Sequence, residues 1–260
     1  MDLLIRVPNW LGDLIMSLES LNGLRSEYNS MAFWSHPRVA ELLPVFLPGI
    51  PVIPLEVMPR CFETVLLMTN SFSSALKARR TGASAILGYS GEGRGFMMTG
   101  TIRQNRMRNH HHSADFAALT GMLGATPEPL DISHIQADGR PHIAMFPGAR
   151  FGPAKMWPKF PELAKILSEK TRLPVIFYGA DGERNLLTEM AKTLDNSEVE
   201  AGLPASVLCS RLRSATLATG NDSGGVHLSA ALGVPTVTIF GSTSPEWTAP
   251  RGKRTATVYL

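Results

Sequence analysis

The chain has little of what several large protein classes depend on. Only two cysteines occur in 260 residues, Cys61 and Cys209, far apart in sequence. That spacing offers neither a disulfide framework nor a cysteine zinc site. No apolar run approaches the ~18 residues of a membrane-spanning helix. The opening MDLLIRVPNWLGDLIMS lacks the basic start, long apolar stretch and small-residue cleavage site of a secretion signal. A cytoplasmic protein is expected. Aromatic residues make up 7% of the chain and do not interleave with basic residues as a base-stacking surface would, so no nucleic-acid partner is expected. HExxH, GxSxG, an Asp-x-Asp pair, the P-loop and the GxGxxG fingerprint are all missing. Neither a metal nor a cofactor is expected, which leaves a metal-independent reaction or simple binding. The contiguous run His110–His112 sends its side chains in diverging directions and reads as a polar surface stretch.

What remains is an ordinary globular composition, 44% hydrophobic and 18% charged, with a formal charge of +3. The charge is uneven. Lys77, Arg79, Arg80, Arg94, Arg103, Arg106 and Arg108 face a single Glu92 over that stretch. Such a block is either a solvated basic face or a site for a phosphorylated, anionic or membrane-surface partner.

Short apolar runs alternate with amphipathic stretches. LLIRVP, MAFWS, TVLLM and ASAILGY read as strands in the first half, separated by helices beginning near Asn9–Asp13, at VAELLPVF and at Asn70 or Ser71, with a further helix over SADFAALTGMLG. Pro127, Pro129 and QADGRP (136–141) mark a linker. The rhythm then restarts with HIAMFPG as a strand and loop, the strands LPVIFYG, TLATG and PTVTIFG, and the helices between them. Two successive α/β units imply two parallel sheets, over residues 1–137 and 138–260, facing a cleft, with ligands beyond the carboxyl ends of the strands.

Four strand-to-helix turns carry residues able to do chemistry. In NWLGDLIMS, Asp13 is either a first-turn charge or a general base. In FPGARFGPAKMWP, Lys155 is either a surface lysine or a partner for a diphosphate. In FYGADGERN, Asp181 and Glu183 either compensate a helix start or compete to bind ribose hydroxyls. In NDSGGVHLSAAL, Asp222 or Ser223 can cap a helix whose glycines Gly224 and Gly225 expose amides to an anion. His227 there is either a core histidine or a phosphate contact.

Together these motifs, with NSFSSALKARRTGA and LGYSGEGRG, resemble in order and over most of the chain the ADP-heptose:lipopolysaccharide heptosyltransferases (glycosyltransferase family 9), most nearly the heptosyltransferase II type. The resemblance implies a GT-B fold of two Rossmann-like domains, acceptor on the first and nucleotide sugar on the second. It implies inverting transfer of L-glycero-D-manno-heptose from ADP-heptose to the lipopolysaccharide inner core. Asp13 would be the base, and Lys155, Glu183, Asp222, Ser223, Gly224, Gly225 and His227 would bind the ADP-sugar. Asn70, Ser71 and Arg94 would contact the acceptor, and the basic block would face phosphorylated core sugars or the inner face of the inner membrane. The chain is shorter than the family's pattern: it ends soon after SPEWTAP, and the stretch between Val52 and Glu63 looks abbreviated. Two other readings stay open, an impaired binder of ADP-sugar or core oligosaccharide and a related GT-B transferase with another nucleotide donor.

Overall fold

The computed structural model describes residues 2–105, 109–148 and 156–259. The chain divides into two compact units, Met1–Asp131 and Ile132–Leu260.

The first unit is built on six parallel strands: β1 (Leu3–Arg6), β2 (Met31–Ser35), β3 (Val52–Pro54), β4 (Thr64–Leu67), β5 (Ala85–Ser90) and β6 (Gly100–Arg103). Their order is β3-β2-β1-β4-β5-β6. The order reverses between β1 and β4, which pair in parallel with Leu3 opposite Thr64. β1 and β2 are buried throughout, as continuous apolar runs covered on both faces should be. Helix α1 (Leu11–Glu27) follows β1 and buries Leu14, Leu18, Leu21 and Leu24, spaced three or four apart along one stripe. The helix expected over VAELLPVF is instead two short ones, α2 (Pro37–Ala40) and α3 (Leu43–Phe46). Pro44 has no N–H to donate to the carbonyl four residues back, so one helix cannot run through. Residues 55–63, between β3 and β4, form no helix or strand. Helix α4 (Phe72–Arg80) starts with Ser71, whose hydroxyl accepts from the Ser74 amide at 3.2 Å. Helix α5 (Ser113–Gly121) packs against α1.

The second unit repeats the plan. Its strands are β7 (His142–Phe146), β8 (Val175–Gly179), β9 (Ser197–Ala201), β10 (Ala215–Asn221), β11 (Thr236–Phe240) and β12 (Thr255–Tyr259). The order is β12-β11-β10-β7-β8-β9, all parallel, with the reversal between β7 and β10. Counted from each unit's first strand, both sheets have the same order, that of a doubly wound nucleotide-binding sheet. Helices α6 (Phe160–Thr171), α7 (Arg184–Ala191), α8 (Ala205–Arg213), α9 (Gly224–Ala231) and α10 (Pro245–Thr248) connect the strands. Ile143, Met145, Phe160, Val175, Phe177 and Leu187 share the core. Among the described residues, no helix is long and apolar enough to cross a membrane.

Candidate active site

Each sheet reverses its strand order at one point, and the candidate residues collect there. In the first unit, β1 leads into α1. Arg6 is buried at the end of β1, where its guanidinium donates to the Val7 carbonyl at 2.5 Å and to Asn9 Oδ1. Asn9 is thereby occupied, and α1 begins at Leu11 after Trp10, which makes no side-chain cap. Asp13 stands in the first turn of α1, where the helix dipole favours a negative charge.

The carboxylate of Asp13 is not isolated. His112 Nε2 lies 3.9 Å from Asp13 Oδ1, and His112 Nδ1 lies 2.9 Å from Asp115 Oδ2. Asp115 is buried and also accepts from Gln104 Nε2 at 3.1 Å and meets His110 Nε2 at 2.9 Å. Burial alone would push the Asp115 carboxyl up, but these hydrogen bonds from His112, Gln104 and His110 hold it below the usual carboxylate range. The histidine run is therefore not a polar surface stretch: two of its three rings converge on one buried carboxylate at the start of α5, where local helix geometry gathers side chains that sequence contiguity suggested would diverge.

The expected acceptor residues join the same network. Gln104 Oε1 accepts from Asn70 Nδ2 at 3.1 Å, and Asn70 Oδ1 accepts from Arg94 Nη2 at 2.9 Å. Arg94 is buried, and its remaining N–H groups go to the carbonyls of Tyr89, Thr69 and Ser71. All five guanidinium donors are thus directed to protein oxygens. Ser71 is engaged as the α4 cap. Lys77, Arg79, Arg80 and Arg103 are at least partly exposed, while Arg106 and Arg108 lie outside the described residues. Beside the network is an open cavity of about 530 Å³ lined by Ser90, Gly91, Arg103, Gln104 and Asn105, at the carboxyl ends of β5 and β6.

In the second unit, β10 ends in Asn221 and α9 begins three residues later, at Gly224. Ser223 holds the cap position in an extended conformation, but its side chain makes no capping bond. Among the described residues the first amides of α9, at Gly224 and Gly225, thus have no cap from Ser223, and a helix start of this kind can take an anion. Gly225 is required by packing: a Cβ there would lie 2.1 Å from the Phe146 ring. Asp222 faces inward, with Thr248 Oγ1 donating to Oδ2 at 3.2 Å and His227 Nε2 at 3.5 Å from Oδ1. Burial would raise its carboxyl, yet the hydrogen bonds from His227, Thr243 and Thr248 hold it below the ordinary carboxylate range. His227 is buried against this carboxylate.

Asn221 was not singled out by the sequence, although it is 3% exposed and doubly bonded. Its Nδ2 donates to the Pro147 carbonyl at 2.7 Å, and its Oδ1 accepts from the Trp157 amide at 3.0 Å. It ties together the two sides of the loop after β7. Lys155, within that loop, lies outside the described residues. The signal available was a polar residue directly following a buried strand.

Asp181 and Glu183 have different local partners. Asp181 is paired with Arg184 at 2.9 Å on the surface. Glu183 Oε2 accepts from the Ala180 amide at 2.8 Å, and its carboxylate lies against Gly148 and Gly179, where a Cβ would come within 2.1 Å and 2.7 Å. It sits at the carboxyl ends of β7 and β8. Among the described residues, no group of three His, Cys, Asp or Glu side chains could hold a metal ion.

The sequence profile of glycosyltransferase family 9 (heptosyltransferase) matches residues 56–260. Lipopolysaccharide heptosyltransferase 2 of Escherichia coli K12 is 26% identical over 315 aligned positions, which take in 100% of this chain and 88% of the relative. Lipooligosaccharide heptosyltransferase 2 of Haemophilus ducreyi is 25% identical, over 100% of this chain and 89% of the relative. The 315 positions exceed the 260 residues here, so that relative carries segments within the match that this chain lacks. The fold is shared with the E. coli ADP-heptose LPS heptosyltransferase II structure, at a TM-score of 0.86, 24% identity and coverage of 100% of this chain and 91% of that one. It is also shared with E. coli heptosyltransferase WaaC with ADP, at a TM-score of 0.83, 16% identity and coverage of 100% and 93%.

Proposed function

The chain belongs to glycosyltransferase family 9, and from that premise we propose that it transfers L-glycero-D-manno-heptose from ADP-heptose to the lipopolysaccharide inner core with inversion at the anomeric carbon. The first unit binds the acceptor and the second the ADP-sugar. The observation that supports the donor half of this reading is the start of α9: two glycine amides beyond the carboxyl end of β10, where the Ser223 side chain makes no cap that would compete with a phosphate.

Inverting transfer is a single in-line displacement through an oxocarbenium-like state. Asp13 takes the proton of the acceptor hydroxyl as that oxygen attacks. The bond from the anomeric carbon to the diphosphate breaks, and its electron pair leaves with ADP. The developing charge is met by the α9 amides and by Lys155, fixed donors that do the work a metal does in other transferases. Asp222, being negative, does not touch the diphosphate. It orients His227 and, through Thr248, the end of α10. Glu183 binds ribose hydroxyls. Asn221 positions the loop after β7.

On the acceptor side, the cavity beside Gln104 and Arg103 receives the core sugar. Arg94 acts by holding Asn70 and the turn before α4 in place rather than by binding sugar itself. The exposed basic residues Lys77, Arg79, Arg80 and Arg103 face phosphorylated core sugars, with the protein working in the cytoplasm against the inner face of the membrane. The test is turnover. Purified protein supplied with ADP-heptose and a heptose-bearing core acceptor should release ADP, and neither substrate alone should suffice. Saturable binding of both without product would contradict the assignment.

A further inference from the structure

His112 lies between two carboxylates. Its Nδ1 is 2.9 Å from Asp115 Oδ2, and its Nε2 is 3.9 Å from Asp13 Oδ1. Asp115 is 4% exposed and held from several sides: by Gln104 Nε2 at 3.1 Å, by His110 Nε2 at 2.9 Å, and by the Tyr89 hydroxyl, which donates to its carbonyl at 2.7 Å. An ionised carboxylate only accepts, so the tautomer of His112 that bonds Asp115 carries its proton on Nδ1. The lone pair on Nε2 then faces Asp13. The Phe116 ring, 4.8 Å from the imidazole centroid, fixes the plane of the ring. The arrangement is a carboxylate–imidazole–carboxylate line whose far end is buried and whose near end is partly open to solvent.

We propose that His112 is a positioning residue that acts through Asp13, receiving from its carboxyl group the proton taken from the acceptor. The inference rests on the reading of Asp13 as the base. The acceptor O–H bond breaks, and its electron pair forms the new bond to the anomeric carbon as ADP departs with the pair of the old one. The proton passes to Asp13 and then to His112 Nε2. Asp13 returns to carboxylate, and His112 becomes an imidazolium paired with Asp115. Loss of that proton to water restores the starting state. The gap of 3.9 Å is about 1 Å longer than an N–H···O bond, a distance that rotation of the Asp13 side chain or one bridging water covers. Without His112 this route for the proton from Asp13 is lost.

Steady-state kinetics of full-length variants test this. His112→Ala should lower kcat about 10–100-fold, with the KM for donor and acceptor within about twofold of the parent. Added imidazole should restore part of kcat, and the acid limb of kcat against pH should change, because only neutral imidazole accepts a proton. His112→Gln, which keeps a hydrogen-bonding side chain but cannot take a proton, should behave as His112→Ala does and serves if the alanine variant folds poorly. His110→Gln, which also meets Asp115, is the structural control and should stay within about threefold of the parent. Unchanged kcat in both His112 variants, or an equal fall in His110→Gln with no rescue by imidazole, overturns the proposal. Asp13→Ala separates the two levels. Transfer that survives in it overturns the base reading itself, whereas transfer lost in Asp13→Ala but intact in His112→Ala overturns the relay alone.

Discussion

Two glycines set where the Glu183 carboxylate lies after β8. Gly148 and Gly179 leave the room that the Glu183 carboxylate fills, whereas Asp181 turns outward to Arg184. The sequence could not choose between acids two residues apart, because the choice depends on a glycine from a different strand end. If Glu183 holds ribose, Glu183→Gln should weaken ADP binding by about 10–100-fold, the equivalent of ~1.5–3 kcal/mol for a charged hydrogen bond. Calorimetry should show that the penalty disappears for 2′,3′-dideoxy-ADP. Gly148→Ala should mimic the loss by displacing Glu183. The same dependence on distant partners hid Asn221, whose two bonds reach Pro147 and Trp157, and Asp115, whose partners come from three other stretches of chain. Asp13, by contrast, was legible as a first-turn acid after a buried strand, whereas its neighbour His112 was not.

At the scale of elements, the eight strands read from the sequence, β1, β2, β4, β5, β7, β8, β10 and β11, are all interior. The four that were not foreseen, β3, β6, β9 and β12, are the edges of the two sheets. The reason is burial. Interior strands such as β2 and β7 are buried along their whole length, so they need continuous apolar runs. β12 is exposed throughout and β6 alternates between half-buried and exposed, so neither needs a run that stands out. α9 is read correctly because its glycines and small residues answer to packing. Gly225→Ala would press a methyl group into the Phe146 ring and should cost about 1–3 kcal/mol, seen as a lower midpoint in chemical denaturation. An unchanged midpoint would mean that Phe146 moves freely and does not set the position of the helix start. The helix starts also govern the response to acid. Asp115 and Asp222 are both held below the ordinary carboxylate range in the folded chain. Their contribution is present above the unfolded value of ~4 and is lost as pH falls through that value and below. Stability should therefore drop as pH is lowered from ~5 to ~3, and Asp115→Asn should flatten that slope.

On the scale of the whole molecule, two units use one strand order for two tasks. A doubly wound sheet collects ligands where its order reverses, and each unit has one such point. At the first stand Asp13 and its histidine; at the second stand the uncapped helix start, Glu183 and the loop held by Asn221. On the proposed reading one unit offers a proton acceptor, and the other offers amides for an anion. That division is what transfer from a nucleotide sugar requires, and family membership gives the sugar. The relatives' extra segments within the match are absent here, and both reversal points are nonetheless built. The most direct test is to follow heptose from ADP-heptose onto a heptose-bearing core acceptor with the parent chain and with Asp13→Ala, determining the anomeric configuration of the product by NMR and ADP affinity by calorimetry. The account predicts a product inverted relative to the donor, a rate lower by about 10²–10⁴-fold in Asp13→Ala, and unchanged ADP affinity. A product with retained configuration, or a variant that transfers as fast as the parent, would contradict it.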